Sequence, residues 1–390
     1  MRKCFCLISL LGFVAACTSR ITASESNQAN QSRKVEPAPE WDALFDRNSG
    51  WTGSDGTYSI PLSGFDAPSG PVDQQTLFVF GDAFIGQVDE NKARHDAAIV
   101  RNTTALLETV RPAPEQITFH WETDEQGQPA SIFESDTPES SPDEWIWPMD
   151  GLVLKDRINI LALRMQTRPK VAFEVVGITH ISFTLDNEQN ITAYEHVDTP
   201  LYYRNEKAGY EIVLGQAIMP MTEESGNPNP DGYIYIYGPK SYIGVKKVVV
   251  ARVWPQDFHD FSKWRYWDGE DWGTEIENSA SLTGGVSQEF SVTPLQDGRF
   301  LLVFQIDDQV AIRFAESPTG PFGPVERIYD CPQVGMDKGV FVYNAKAHPH
   351  LSAPGEMLIS YNVNSTDWDV LFMNADSYRP RFIKLHLSED

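Results

Sequence analysis

Five short, strongly apolar segments, rich in β-branched and aromatic residues, constrain the fold of this chain more than any other feature. Their starts lie 57 to 81 residues apart. Continuous apolar runs of this length predict strands that are covered on both faces. The segments are 77–82 (LFVFGD), 158–165 (INILALRM), 233–238 (YIYIYG), 299–306 (RFLLVFQI) and 356–363 (EMLISYNV). Helical periodicity is nearly absent, with short helices conceivable only around 40–47 and 256–264.

This spacing predicts an all-β fold, a five-bladed β-propeller that forms a single domain over residues 41–390. The five apolar segments are then the innermost strands of the blades. Their separation exceeds the roughly 40–50 residues per blade of short-repeat propellers, which indicates long loops. Two β-sandwiches are the main alternative, although sandwich strands would alternate more cleanly at closer spacing.

The N-terminal residues predict export and a lipid anchor. A basic start precedes an apolar run at 7–14, and residues 14–17 (VAAC) resemble the bacterial lipobox. We therefore expect residues 1–16 to be a lipoprotein signal peptide and Cys17 to carry lipid. A plain signal peptide that contains a cysteine is the alternative. The polar residues 17–40 then form a flexible tether between the lipid and the domain.

The residues after Cys17, the net charge and the cysteine content indicate where the protein is located and which molecules it can bind. The residues after Cys17 contain no aspartate retention signal, which favours an outer-membrane lipoprotein facing the periplasm or the cell surface. A net charge of −24 argues against nucleic acid as a partner. Cys331 is the one cysteine beyond the N-terminal region, and we expect it to be a buried small residue. The sequence contains no metal-ligand spacing or cofactor motif, so we expect no cofactor, and it leaves open whether a structural calcium lies in the channel. We expect the protein to be a monomer.

Several motifs, taken in order along the chain, are similar to those of one family. The stretches are 51–62 (WTGSDGTYSIPL), 77–86 (LFVFGDAFIG), 147–151 (WPMDG), 233–238 (YIYIYG), 264–272 (WRYWDGEDW), 317–322 (SPTGPF) and 343–351 (YNAKAHPHL). They resemble a bacterial five-bladed β-propeller family of long-unknown function that includes endo-D-arabinofuranase glycoside hydrolases. The resemblance implies a five-bladed propeller and hydrolysis of a furanose-containing polysaccharide. The family usually carries threonine where this chain has Ala83.

Four carboxylates are candidate catalytic residues, because glycoside hydrolysis needs one acid to protonate the leaving oxygen and a second as base or nucleophile. Each also has a structural interpretation: a turn for Asp55 and for Asp150, a strand-end cap for Asp82, and an ion pair with an arginine for Glu289. Asp82 ends an apolar strand, and Asp150 follows a tryptophan-rich stretch that could raise its pKa.

Four further residues are candidate sugar-binding groups. Trp147 offers an aromatic face, Asn102 and Asn364 offer amides, and His348 could bind hydroxyl groups or tune a carboxylate. A hydrogen-bonded core histidine is the alternative for His348, and asparagines are also common in turns. The aromatic series at 264–272 is better explained as a hairpin that packs between blades than as a sugar groove.

Three functions fit these observations. The first is a lipid-anchored glycoside hydrolase of the bacterial envelope that uses paired carboxylates. The second is a non-catalytic surface propeller that binds glycans through aromatic stacking and amides. The third is a structural or protein-interaction propeller of the envelope. Clustered strand-end acids would favour the first, since a binding protein does not need convergent carboxyl groups.

Overall fold

The computed structural model describes residues 33–68, 70–169, 171–186 and 188–387. The signal peptide, Cys17 and most of the tether lie outside these residues. Strands dominate the described part, which confirms the all-β class. Its helices are short: the α-helices are Pro39–Asp42 and Trp368–Met373, and the 3-10 helices are Pro114–Gln116, Pro255–Asp257, Phe261–Lys263, Ile276–Asn278, Pro349–Leu351 and Ala375–Tyr378.

Five antiparallel sheets follow one another along the chain, and we number them sheets 1 to 5. Sheet 1 contains Tyr58–Pro61, Thr76–Phe80, Thr103–Leu107 and Ile117–His120; sheet 2 contains Glu144–Leu154, Arg157–Arg168, Val171–Leu185 and Ile191–Thr199. Sheet 3 contains Ala217–Pro220, Ile234–Tyr242, Val245–Val253 and Arg265–Trp267, extended by Tyr202–Asn205, Tyr210–Val213, Trp272–Gly273 and Thr283–Gly284. Sheet 4 contains Phe290–Pro294, Phe300–Ile306, Gln309–Ala315 and Glu326–Asp330; sheet 5 contains Val340–Ala347, Glu356–Ser365, Pro380–His386 and Val35–Pro37.

The five apolar segments form the second strand of each sheet, so their predicted innermost position is wrong. The first strand of sheet 2 contacts the first strands of sheets 1 and 3, and the series continues through sheets 4 and 5. A second strand is hydrogen-bonded on both edges and covered on both faces, which explains its apolar sequence. The first strands are thus the ones that contact each other from sheet to sheet.

Apolar cores lie between successive sheets. One core joins sheets 1, 2 and 3, a second joins sheets 3 and 4, and a third joins sheets 4 and 5. A fourth links sheet 5 to sheet 1, where Phe45 stacks on Phe382 and meets Phe78 edge to face. The sheets thus form a closed series with its cores at the boundaries.

The folded part begins before the boundary expected at residue 41. Val35–Pro37 pair with the last strand, with Val35 opposite Leu385. This pairing covers the outer edge of sheet 5, an edge that would otherwise expose unpaired backbone groups. The helix Pro39–Asp42 then packs on that same last strand.

A three-stranded sheet flanks sheet 1 and contains Ser49–Ser54, Ala83–Val88 and Arg94–Val100. A two-stranded ribbon of Glu122–Thr123 and Pro129–Ala130 lies beyond it. The second strand of sheet 1 passes into the flanking sheet through Gly81 and Asp82. The apolar residues after Asp82 are therefore a new strand rather than the start of a loop.

Candidate active site

Two carboxylates meet where sheet 1 passes into the flanking sheet. The backbone N–H of Asp55 donates to the carbonyl oxygen of Asp82 at 3.2 Å, and Gly81 N–H donates to the carbonyl oxygen of Asp55 at 3.0 Å. A β-carbon on Gly81 would lie 2.6 Å from Oδ1 of Asp55. The missing side chain at Gly81 therefore lets the Asp55 carboxyl lie against this backbone.

The Asp55 carboxyl is partly buried among other acids. The Tyr343 hydroxyl donates to its Oδ2 at 2.5 Å. Burial raises the pKa of Asp55 to about 7, and repulsion from Asp82 and Glu289 acts in the same direction. Hydrogen bonds from Tyr343 and Tyr378 oppose the increase. Asp55 therefore keeps its proton up to nearly neutral pH.

The Asp82 carboxyl has stronger donors around it. Trp147 Nε1 donates to Oδ1 at 2.8 Å, and Arg101 Nη1 donates to Oδ2 at 3.2 Å. The Arg101 guanidinium also lies 4.7 Å from the centroid of the Trp145 ring. Burial raises the pKa of Asp82, while Arg101 and Trp147 favour the ionised form. Because Asp82 has the cationic partner, it is the acid of this pair that ionises first.

Glu289 forms an ion pair, but with a lysine rather than the arginine that the sequence suggested. Lys346 Nζ lies 2.5 Å from Oε2 of Glu289, and only 3% of the Lys346 side chain is exposed. The same ammonium lies 3.7 Å from the centroid of the Tyr58 ring.

The Asp150 carboxyl is held by backbone N–H groups. Its Oδ1 accepts from Gly151 N–H at 2.9 Å, and its Oδ2 accepts from Ile218 N–H at 2.7 Å. Burial raises the pKa of Asp150 to about 7, despite these two bonds. Its side chain borders a cavity of about 30 Å³ that Lys346 and His348 also line. A cavity of this size holds a water molecule but not a sugar.

Tyr58 lies near both Glu289 and the cavity beside Asp150. It lies at the start of sheet 1, and its hydroxyl donates to Gln216 Oε1 at 2.7 Å. Burial and the charges of Glu289, Asp150 and Asp55, in that order, raise the pKa of Tyr58 far above its ordinary value. Three of the predicted carboxylates, Glu289, Asp150 and Asp55, thus lie close enough to Tyr58 to act on it, and Asp82 lies next to Asp55.

Two of the predicted sugar-binding residues have their polar atoms occupied by the protein. The Asn102 amide donates to the carbonyl oxygens of Phe133 and Ile146 and accepts from the N–H of Phe133. His348 lies between the hydroxyls of Ser59 and Ser360, each at 2.7 Å. Both side chains are fully buried, and burial holds the pKa of His348 well below its usual range. These contacts match the core interpretation of His348.

Of the other two, Trp147 contacts Asp82 directly, and Asn364 is linked to Asp55 through Tyr343. Trp147 touches Phe173 edge to face, with ring centroids 5.0 Å apart, and Phe173 is 45% exposed. Trp147 also meets Trp145 at 6.0 Å, so the indole that bonds Asp82 packs against two other aromatic rings. Asn364 Nδ2 donates to the Tyr343 hydroxyl at 2.9 Å.

The sequence did not single out four residues that shape this site. Arg101 precedes the third strand of sheet 1, Tyr343 and Lys346 lie on the first strand of sheet 5, and Phe173 lies on sheet 2. Tyr343 and Lys346 belong to the stretch YNAKAHPHL, whose family resemblance was a usable signal. No pattern in the sequence pairs Arg101 with Asp82 or Phe173 with Trp147, because these contacts depend on how the strands pack.

Neither a metal cluster nor a membrane helix is found in the part of the chain that the structure describes. Within residues 33–387, apart from the three positions left out, no three His, Cys, Asp or Glu side chains gather as metal ligands. No helix among the same residues has the length and hydropathy to cross a bilayer. Cys331 is buried, as expected, and burial raises the pKa of its thiol to about 12.

This architecture defines an all-β protein with acids clustered where the first strands of its sheets meet. Residues 39–387 match the family described as Domain of unknown function (DUF5005), and the chain belongs to that family. A search of curated proteins gives no match.

The fold is shared with a protein of Bacteroides ovatus ATCC 8483 that is provisionally assigned as a hydrolase. The TM-score is 0.68 at 21% identity, over 90% of this chain and 89% of that chain. A GH32 β-fructofuranosidase of Bombyx mori has a TM-score of 0.44 at 12% identity, over 90% of this chain and 64% of that one. A GH62 hydrolase in complex with xylotriose has a TM-score of 0.45 at 9% identity, over 88% and 99%.

Proposed function

We propose that this chain is a glycoside hydrolase that cleaves a furanose-containing or related bacterial polysaccharide, as the endo-D-arabinofuranases do. One observation carries the proposal: Asp55 and Asp82 are adjacent, and Asp55 accepts from a tyrosine hydroxyl whereas Asp82 accepts from the Arg101 guanidinium and the Trp147 indole. Glycoside hydrolysis requires such a pair, one carboxylic acid and one carboxylate, on the two sides of the scissile bond.

In this proposal Asp55 is the proton donor. Its pKa of about 7 leaves a large protonated fraction at neutral pH. As the bond between the anomeric carbon and the glycosidic oxygen breaks, the Asp55 proton passes to that oxygen. The leaving sugar then departs as an alcohol, and Asp55 becomes a carboxylate.

Asp82 is the base or nucleophile. Arg101 and Trp147 orient its oxygens and stabilise their negative charge. Asp82 either attacks the anomeric carbon or removes a proton from the water that does so. The anomeric configuration of the first product, measured by NMR, distinguishes these two courses.

Aromatic rings beside Asp82 suit a sugar. The partly exposed faces of Trp147 and Phe173 offer apolar surface against which the C–H face of a sugar ring packs, while the polar edges meet Arg101 and the carboxylates. The net charge of −24 keeps the surrounding surface acidic. These features support an oligosaccharide or polysaccharide substrate.

The proposal extends to architecture and location. The five sheets, with cores at their boundaries and a final sheet completed by Val35–Pro37, are consistent with the blades of a five-bladed propeller. The lipobox-like residues 14–17 support lipidation at Cys17. We therefore propose an outer-membrane lipoprotein whose catalytic domain faces the periplasm or the cell surface.

A screen of bacterial and plant polysaccharides, read by reducing-end release, tests the hydrolase. Wild type is compared with Asp55→Asn, Asp82→Asn and, as control, Asp307→Asn, whose carboxylate is 79% exposed on sheet 4. We expect wild type and the control to release sugar and the two site variants to release almost none. Full activity in either folded site variant would remove that residue from the mechanism.

A glycan-binding propeller without catalysis is the second candidate, since the Trp145, Trp147 and Phe173 cluster alone would serve binding. It predicts that wild type retards a polysaccharide in affinity electrophoresis and cleaves none. It also predicts that Trp147→Ala abolishes retardation whereas Asp55→Asn does not.

A further inference from the structure

A chain of hydrogen bonds with a fixed direction ends on Asp55. It begins at the backbone N–H of Ser365, which donates to Oδ1 of Asn364 at 2.7 Å. A backbone N–H can only donate, so this bond fixes which end of the Asn364 amide is oxygen. The NH₂ group must then face Tyr343, and it donates to the hydroxyl oxygen at 2.9 Å.

The direction of hydrogen-bond donation continues through the Tyr343 hydroxyl. A tyrosine hydroxyl has one proton to donate. Because its oxygen accepts from Asn364, that proton points to Oδ2 of Asp55, at 2.5 Å. Oδ2 therefore accepts from Tyr343. Because the carbonyl oxygen of a protonated carboxyl is its better acceptor, this bond favours the proton on Oδ1.

Oδ1 is the oxygen that lies against Gly81. Any β-carbon at that position would come within 2.6 Å of it. The glycine leaves this oxygen free of a side chain on the strand that leads to Asp82. The proton is thus directed to the oxygen that lies beside Gly81.

An irregularity in sheet 5 places Tyr343. The pairing of its first two strands shifts between Tyr343 and Lys346, and Asn344 has a φ of 60°. A bulge of this kind re-aims a side chain and is frequent beside active sites. Here Tyr343 bonds to Asp55 on one side of the bulge, and Lys346 bonds to Glu289 on the other.

We propose that Tyr343 and Asn364 are positioning residues that direct the proton of Asp55 to Oδ1 and set the pH at which it is released. The inference rests on the proposed function for its catalytic meaning, because it makes Asp55 a donor with one defined donating oxygen. The groups that face Asp55 are Asp82 and Glu289, which oppose its ionisation, and the hydroxyls of Tyr343 and Tyr378, which favour it.

Carbon-13 NMR titration of the Asp55 carboxyl tests the inference without an activity assay, with Asp55→Asn used to assign the resonance. In Tyr343→Phe the donor to Oδ2 is lost, and we expect the titration midpoint of Asp55 to rise by about one pH unit. In Asn364→Asp the amide donor is lost and the Tyr343 hydroxyl can donate to the new carboxylate instead. The midpoint should rise there as well.

The matched control is Tyr361→Phe, which removes a buried hydroxyl from the second strand of sheet 5. That hydroxyl donates to Gln333 at 2.8 Å. It should leave the Asp55 midpoint unchanged. An unchanged midpoint in folded Tyr343→Phe, or an equal rise in Tyr361→Phe, would overturn the positioning role.

The pH–rate profile then connects the inference to catalysis. If Asp55 donates the proton, Tyr343→Phe should shift the alkaline limb of kcat to higher pH, by the same amount as the NMR midpoint. A shift of the acid limb instead would make Asp55 the base and refute its role as donor. A shifted NMR midpoint in a protein that cleaves no glycan would support the positioning role and reject the hydrolase proposal.

Discussion

Asp55 and Asp150 have the same raised pKa, about 7, in opposite settings. Both oxygens of Asp150 accept from backbone N–H groups, in a cavity too small for a sugar. Asp55 has a side-chain donor on one oxygen, a glycine beside the other, and a second carboxylate next to it. The comparison teaches that a raised pKa alone does not assign a role to either acid, because burial produces the same shift in both settings.

We expect the largest effect to be a loss of turnover when the pair Asp55 and Asp82 is altered. Asp82→Asn removes the charge that forms or activates the nucleophile, and kcat should fall by about a thousandfold or more. The unfolding midpoint in urea should stay close to that of wild type, because asparagine can still accept from Trp147. A folded variant with a less than tenfold loss would leave Asp82 no better a candidate than Asp150.

The next effect tests the space beside Asp55. The φ of Gly81 lies outside the left-handed region, so Gly81→Ala suits the backbone, but its methyl group would displace the Asp55 carboxyl. We expect kcat to fall by about a hundredfold, since a small misplacement of a catalytic group has that effect. Gly355→Ala would be the wrong control because its φ is 75°. Gly273→Ala is better, since nothing lies within 4 Å of a β-carbon there.

Substitution of Asp150 should affect the free energy of unfolding. Asp150→Asn replaces one acceptor oxygen by an NH₂ group that faces a backbone N–H, which should cost about 1 to 3 kcal/mol. The folded-state pKa of Asp150 lies above its unfolded value near 4, so wild type loses stability as pH rises from about 4 to 7. Urea denaturation across this range should therefore show a smaller decline in the variant. An identical decline in both proteins would contradict the raised pKa.

The smallest effect concerns Arg101. Arg101→Gln removes the cation that favours ionised Asp82, so the pKa of Asp82 should rise. Since the proposed base must be ionised, the acid limb of kcat/KM should move to higher pH, with a loss of about tenfold below neutrality. Arg101→Lys should restore most of the rate. A profile unchanged in Arg101→Gln would mean that Trp147 alone orients Asp82.

Sequence patterns identified the strands but misplaced them within their sheets. The segment 77–82 is apolar because it is enclosed on both edges and both faces, and that enclosure belongs to a second strand. Val35–Pro37 was assigned to the tether because three residues carry no periodicity, and only the partner strand near Leu385 reveals its role. Pairings this distant in sequence are not visible in local pattern.

Some residues of the candidate site could likewise be predicted from the sequence, and others could not. Asp55 and Asp82 could be predicted because each ends or precedes a strand in a recognisable turn. The roles of Asn102 and His348 depend on buried partners, such as Ser360 and the carbonyl oxygen of Phe133, that no spacing indicates. Arg101 and Tyr343 reach the acids from other strands, so only the packed structure connects them.

The pairing of Val35 with Leu385 also has a kinetic consequence. Sheet 5 cannot be completed until two strands about 350 residues apart in the chain have come together. Until then the final three strands lack their cover, and the boundary between sheets 5 and 1 exposes Phe45 and Phe382. Ring closure of such high contact order is slow. In the cell, the boundary between sheets 5 and 1 is where a chaperone would find exposed apolar surface and a free strand edge.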